Sequence, residues 1–155
     1  MRFAFDSNVL VYAVDTATPV KHQVARRIVE SAYAADAILV TQTLGEFLGV
    51  FTRKYPRQLP EAQLAAELWI ELFPLADSTG EYVIAASRYA LQHQLQYWDS
   101  LISIVASSAG ANYLMSEDMQ DGLTIDGLTV INPFNPANAA LIDALLTPME
   151  GVERP

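Results

Sequence analysis

Short apolar runs alternate with longer stretches whose apolar residues recur every three or four positions, and few folds accommodate that order. Arg2–Phe5 is a short apolar run, broken at once by Asp6-Ser7-Asn8. Val9–Val14 stays apolar, either as the start of a helix or as a buried extension. Pro19 then opens a predicted helix over about residues 20–34, in which Val20, Val24, Ile28 and Ala32 are spaced by four. The β-branched run Ala37–Thr41 predicts a second strand. Leu44, Phe47, Leu48 and Phe51 form the apolar face of the next helix. It must end before Tyr55-Pro56, because a residue preceding proline is pushed out of helical geometry. Pro60 begins a helix with Leu64, Leu68 and Leu72 on one face, and Ser78 or Thr79 caps another running to about Gln92. Asp99 stands near the start of a helix that buries Leu101, Ile104 and Val105. Asn112–Met115 and Leu128–Ile131 read as strands on either side of the acidic turn Ser116–Gly122. The alanine-rich stretch Pro136–Leu146 reads as a last helix, and beyond Pro148 nothing in the polar tail predicts order. Alternation of this kind predicts an α/β fold in which helices cover a mostly parallel sheet.

In open sheets of that kind, ligands bind outside the carboxyl ends of the strands. The rule selects among the acids. Asp6 follows the first strand, and Asp118 follows the strand ending near Met115. Glu46 lies one turn into the helix after the second strand, and Asp99 stands at the N-terminal end of its own helix. All four are expected on one edge of the sheet. Carboxylates gathered within ~4–6 Å disfavour one another's ionisation. A hard divalent cation, Mg2+ or Mn2+, relieves that repulsion through oxygen ligands alone. Such a cation suits phosphodiester hydrolysis, where it activates a water and offsets the charge growing on the phosphate. His22 and His93 lie in helices away from these motifs and are expected at the surface.

Taken singly, each acid has an ordinary explanation. Asp6 before Ser7-Asn8 makes a good turn former or helix cap. Thr43-x-x-Glu46 matches a capping box. Asp99 near a helix start is favoured by the helix dipole, and Glu117, Asp118 and Asp121 fit a solvated loop. Capping alone does not explain why the acids follow successive sheet elements.

Charge sharpens the question. The net charge is −9, against the basic surface usual for phosphate binders. Through Arg88 there are eight bases and ten acids, but from Tyr89 onward only Arg154 faces eight acids. Those acids are either solvated or held together by something positive. For an RNA to approach, Arg53, Lys54 and Arg57 beyond the Glu46 helix are the candidate phosphate contacts, with Lys21, Arg26 and Arg27 as a second basic patch. Ordinary solvated helix ends explain both patches as well. The 155 residues fit one compact domain, and the 52% hydrophobic content supplies its core. Absence of cysteine excludes disulfides, thiolate catalysis and cysteine-based zinc sites. With no apolar run of about 18 residues and no basic-then-apolar leader, a soluble cytoplasmic chain is expected, with no membrane contact.

Four ordered segments carry a family resemblance. Asp6-Ser7-Asn8-Val9-Leu10-Val11-Tyr12 resembles the opening motif of the PIN domain family, and Thr41-Gln42-Thr43-Leu44-Gly45-Glu46-Phe47 resembles its second acidic motif. Tyr97-Trp98-Asp99-Ser100-Leu101-Ile102 is similar to the third. Ser116-Glu117-Asp118-Met119-Gln120-Asp121-Gly122, with the later Asn132-Pro133-Phe134, is similar to the close of the VapC-type toxin branch. The resemblance runs over residues 1–134, leaving 135–155 as a C-terminal helical extension and tail that packs on a dimer or caps the fold. It implies a three-layer sandwich around a mostly parallel sheet of four or five strands. It implies a metal-dependent ribonuclease in which Asp6, Glu46, Asp99 and Asp118 bind Mg2+ or Mn2+. Asn8 and Ser116 would orient those acids, and Asp121 would support the metal indirectly. It also implies a homodimer and, in toxin–antitoxin pairs, a small antitoxin that blocks the cleft. A catalytically silent protein-binding module and a non-toxin RNA-processing nuclease are the alternatives.

A haloacid-dehalogenase-like phosphatase also places an aspartate after its first strand, with a second aspartate two residues on. Here that position is Asn8, and no lysine follows Lys54, so that chemistry lacks its parts. Trp69, Phe73, Tyr82 and Tyr89, at helical spacing, are expected in the core or a dimer interface. Trp98 either braces Asp99 or packs inside.

Overall fold

The computed structural model describes residues 1–151. Six strands form one sheet: β1 (Phe3–Phe5), β2 (Ala37–Val40), β3 (Leu75–Ala76), β4 (Tyr113–Met115), β5 (Thr124–Ile125) and β6 (Leu128–Ile131). Their order is β3-β2-β1-β4-β6-β5, parallel throughout except for the terminal β5–β6 pair. Seven α-helices accompany them among the described residues: α1 (Ser7–Val14), α2 (Pro19–Ala32), α3 (Thr41–Lys54), α4 (Leu59–Leu72), α5 (Gly80–His93), α6 (Tyr97–Ser108) and α7 (Ala139–Leu145). The sheet thus has one strand more than the upper expectation of five. The additions β3 and β5 are two residues each, too short to show any period in sequence.

Alternate strand residues point to opposite faces, and that builds two cores. Phe3, Phe5, Ala37, Leu39 and Met115 enter one core with α1, α2, α3, α4 and α7. Ala4, Ile38, Val40 and Leu114 enter the other with α5 and α6. This is the expected three-layer sandwich. Apolar demand on both faces explains why the strands read as unbroken hydrophobic runs.

Local starts and stops differ from the expectations in instructive ways. Helix α3 begins at Thr41, directly after β2, so Thr43 is no cap. Its buried hydroxyl instead donates to the Phe5 carbonyl at 3.2 Å, tying α3 to the end of β1. Helix α4 buries Ala62, Ala66 and Trp69, with Phe73 following, while Leu64 and Leu68 face solvent at 67% and 53% exposure. Ile84 and Leu91 on α5 are exposed as well. His22 and His93 are half-buried rather than superficial. His22 Nδ1 lies 2.8 Å from the Tyr12 carbonyl, and the His93 ring packs on Tyr89.

The C-terminal helix is built into the body of the domain. Ile142, Leu145 and Leu146 join the first core, and the Met149 amide donates to the Ala34 carbonyl at 2.8 Å. Order therefore extends past Pro148, while residues 152–155 of the tail lie outside the described residues. Asp121 holds the approach to this helix. Its carboxylate accepts from the Asn132 amide (2.9 Å), Asn135 Nδ2 (2.8 Å) and Asn138 Nδ2 (3.0 Å). No helix is long and apolar enough to cross a membrane among the described residues.

Ile142 is 2% exposed, so Ile142→Ala should cost ~2–4 kcal/mol of unfolding free energy in urea denaturation. A loss too small to measure would make α7 a detachable appendage.

Candidate metal-binding cleft

Strand β1 lies centrally, with β2 on one side and β4 on the other, so the chain changes direction across it. Crevices form at such switch points, beyond the carboxyl ends of the strands. Asp6 is the first residue beyond β1 and caps α1, its Oδ1 accepting from the Ser7 amide at 2.7 Å. Ser116 and Asp118 follow β4, and Glu46 lies in the second turn of α3. Asp99 is in the first turn of α6. Asp6, Glu46, Asp99 and Asp118 all line one cleft of about 700 Å³.

Neutral donors hold these carboxylates. Ser116 Oγ donates to Asp6 Oδ2 at 2.7 Å, and Asn8 Nδ2 reaches both Asp6 Oδ2 (3.1 Å) and Asp118 Oδ2 (3.2 Å). Asn8 is itself fixed, because its Oδ1 accepts from the Glu117 amide at 3.2 Å. Ser116 Oγ accepts from the Asp118 and Met119 amides, both at 3.3 Å. Glu46 is gripped at both oxygens, by Gln42 Nε2 (2.6 Å) and Ser7 Oγ (3.2 Å). Gln42 Nε2 also donates to the Trp98 carbonyl at 3.2 Å, linking α3 to the start of α6. The Asp99 carboxylate has no hydrogen-bond donor among the described residues.

No cation balances the four. Each of the ion pairs among the described residues involves other acids: Arg2–Asp36, Lys21–Glu117, Arg26–Glu30 and Arg27–Asp143. Burial, with the charges of Glu46 and Asp99 adding, pushes the Asp6 carboxyl up to about 6 despite the bonds from Ser116 and Ser7. Burial likewise raises Asp99, and Glu46 and Asp118 push it further. An all-carboxylate donor set, with Asp6 and Asp99 held back from ionising, fits a hard divalent cation. Among the described residues, no three His, Cys, Asp or Glu side chains lie close enough as placed to hold one ion directly. That openness suits Mg2+, which keeps several waters and needs few direct protein ligands.

The wall opposite Asp99 is a single face of α3: Gln42, Gly45, Glu46, Gly49, Val50 and Arg53. Those positions recur at three- and four-residue intervals. Neither glycine is required by packing, since a Cβ at Gly45 or Gly49 would meet nothing within 4 Å. Trp98 is 59% exposed at the rim, stacked edge-on with Tyr97 rather than packed inside.

A sequence profile of the PIN domain matches residues 3–120, most of the chain. The chain belongs to the PIN domain family. No curated protein matches it by sequence. Among solved structures, this PIN domain resembles VapC20 of Mycobacterium tuberculosis, a toxin that cleaves the sarcin–ricin loop. The two share 15% identity and superpose with a TM-score of 0.63, over 80% of this chain and 97% of that one. PAE2754 of Pyrobaculum aerophilum gives 13% identity and TM-score 0.63, over 94% of this chain and 95% of that one. VapBC2 of Rickettsia felis, solved with a DNA fragment from its promoter, gives 17% and 0.59, over 85% and 98%. At such identities these likenesses speak for the fold.

The remaining candidates divide. Asn8 and Ser116 touch the acids directly. Asp121 serves the 132–138 segment instead: burial would raise its carboxyl, but its amide donors together hold it below the usual value. Arg53 lines the cleft, Lys54 lines an adjoining hollow, and Arg57 lines neither. The second basic patch is not free, because Lys21, Arg26 and Arg27 are each committed to an acid of this chain. Sequence reasoning did not pick out Ser7 or Gln42. The only signal for Gln42 was its four-residue spacing from Glu46.

Asp6 has a folded value near 6 against 3.8 for the free group. Its contribution to stability is therefore full below about pH 4 and lost as pH rises through 6. Asp6→Asn should flatten the pH dependence of metal-free stability between about pH 4 and 7, and a slope equal to the parent's would remove Asp6 as its source. Asp121→Ala should lower stability by about 1 kcal/mol or less, since Asp121 is exposed and water can reach its donors, with divalent-ion affinity by calorimetry unchanged. A matching loss of affinity would return Asp121 to the metal site.

Proposed function

We propose that this PIN domain is an endoribonuclease that uses Mg2+ or Mn2+ to hydrolyse RNA phosphodiester bonds, and that it acts as the toxin of a toxin–antitoxin pair. One observation carries the nuclease reading: four carboxylates share a cleft, and among the described residues every hydrogen bond to them comes from a neutral group and no cation pairs with them. Such a cluster asks for positive charge from outside the chain. Asp6, Glu46, Asp99 and Asp118 are the residues that would hold the ion. When bound, it supplies an activated water and offsets charge growing on the phosphate.

The chain's own groups divide the remaining work. Ser116, Asn8 and the Ser7 amide fix the Asp6 carboxylate, so its lone pairs stay aimed at the cleft. Asn8 sets the spacing of Asp6 from Asp118, and Gln42 with Ser7 sets Glu46. Such pre-oriented support limits the reorganisation needed when ligand arrives. Asp99, without a donor, keeps both oxygens available. Arg53 on the α3 wall is placed to meet a phosphate, and the trough left by Gly45 and Gly49 gives a backbone room to approach.

The toxin role and an antitoxin partner draw support from the VapC-type proteins that share the fold. A homodimer fits the exposed leucines of α4 and the exposed Ile84 and Leu91 of α5. A single-stranded RNA loop is the favoured substrate, since its unstacked bases are accessible.

Purified protein should cleave RNA with Mg2+ or Mn2+ and lose that activity in EDTA. Asp6→Asn and Asp99→Asn should each reduce the rate by at least about a hundredfold while remaining folded by circular dichroism. Cleavage that persists in both variants would defeat the nuclease reading.

A further inference from the structure

A second hollow of about 350 Å³ opens beside the cleft and shares Ser7, Val50 and Asp118 with it. Asp118 thus forms part of both walls. Arg53 and Lys54 are consecutive in the last turn of α3, yet Arg53 lines only the larger space and Lys54 only the smaller. Neither has an ion-pair partner among the described residues. Each cation is accompanied by aromatic surface. Trp98 stands in the larger space, and Tyr12 and Tyr55 stand in the smaller.

Of the acids of the smaller hollow, Glu117 is spoken for. Lys21 pairs with Glu117 and stacks over the Tyr12 and Phe134 rings at 5.0 and 5.5 Å. Buried Asp15 accepts from the Ala17 amide at 3.1 Å. The charge left facing the space is that of Lys54, of Asp118 and of Asp15, which has only a neutral amide for a partner. A free cation and an aromatic side chain in each of two adjoining spaces, the larger of which also holds the carboxylates, is an arrangement suited to single-stranded nucleic acid. A space of this size takes a small ligand, not a duplex.

We propose that the smaller hollow is a second nucleotide subsite. The RNA strand crosses the carboxylates from one hollow to the other, with Arg53 and Lys54 on phosphates at opposite sides of the bond to be cut. Tyr55 supplies the face for a base beyond it, and the Tyr12 ring, already carrying Lys21, edges the same space. This assignment rests on the ribonuclease reading, but strand binding can be measured without cleavage.

The test uses the uncut complex of Asp99→Asn protein with a short single-stranded RNA, followed by fluorescence anisotropy. Lys54→Gln, an exposed change, should weaken binding roughly tenfold. It should also lower the salt slope by about 0.7, one phosphate contact's worth on a single strand. Arg88→Gln on α5 removes the same charge and should leave both unchanged. With 4-thiouridine placed at successive positions, crosslinks to Tyr12 or Tyr55 should come from nucleotides nearer one end, and those to Trp98 from nucleotides nearer the other. The subsite is overturned if Lys54→Gln matches Arg88→Gln, or if both aromatic groups crosslink to the same nucleotides. RNA cut by the parent protein with either of those results would leave the nuclease and remove the subsite. Ordered crosslinks without any cleavage by the parent would do the reverse.

Discussion

Burial of the Asp6 carboxylate, with the charges of half-buried Glu46 and Asp99 beside it, is the constraint around which the rest is arranged. Asp6 is 4% exposed and sits within reach of the charges of Glu46 and Asp99. An unpaired buried charge is costly, and a fold commonly removes it by substitution or by pairing with a base. Here no base pairs with the four acids among the described residues, although Arg53 lines the same cleft, and serine, asparagine and glutamine side chains do the holding. Neutral donors keep the oxygens in place without cancelling their charge. The domain is thereby left short of positive charge at one point, and that shortage is its most specific chemical property.

The sheet determines where that point lies. Because β2 and β4 flank β1, the chain leaves the central strand in two directions and opens a gap above it. The hydroxyl of Thr43 on the Phe5 carbonyl and the reach of Asn8 from Asp6 to Asp118 tie the two sides of the gap together. Packing and site geometry are coupled here. Two cores, one on each face of the sheet, fix the strands, and the strands fix the first residue beyond each of them.

Much of this was legible in the sequence because it depends on local order. Apolar runs marked β1, β2, β4 and β6, and the rule of strand ends then brought Asp6 and Asp118 to the same edge. Glu46 and Asp99 required helix register as well as motif. What sequence could not supply was pairing across long separations. Lys21 and Glu117 are 96 residues apart and Arg27 and Asp143 are 116 apart, so the second basic patch looked free when it is not. Helix α4 misled for a related reason: its leucines repeat perfectly, yet Ala62, Ala66 and Trp69 recur at three and four residues on another face, and that face meets the core. Thr43 fitted a cap by spacing, but the helix had already started at Thr41.

Gly45 and Gly49 lie on the cleft face of α3 and are surrounded by empty space. Each gives up helical propensity of about 1 kcal/mol relative to alanine without any contact that demands it. Their positions act as a width setting. Side chains grown there would narrow the passage by stages while leaving every acidic group and its donors untouched. Related chains could therefore change how large a ligand the cleft admits by drift at two sites, independently of the carboxylates at its floor.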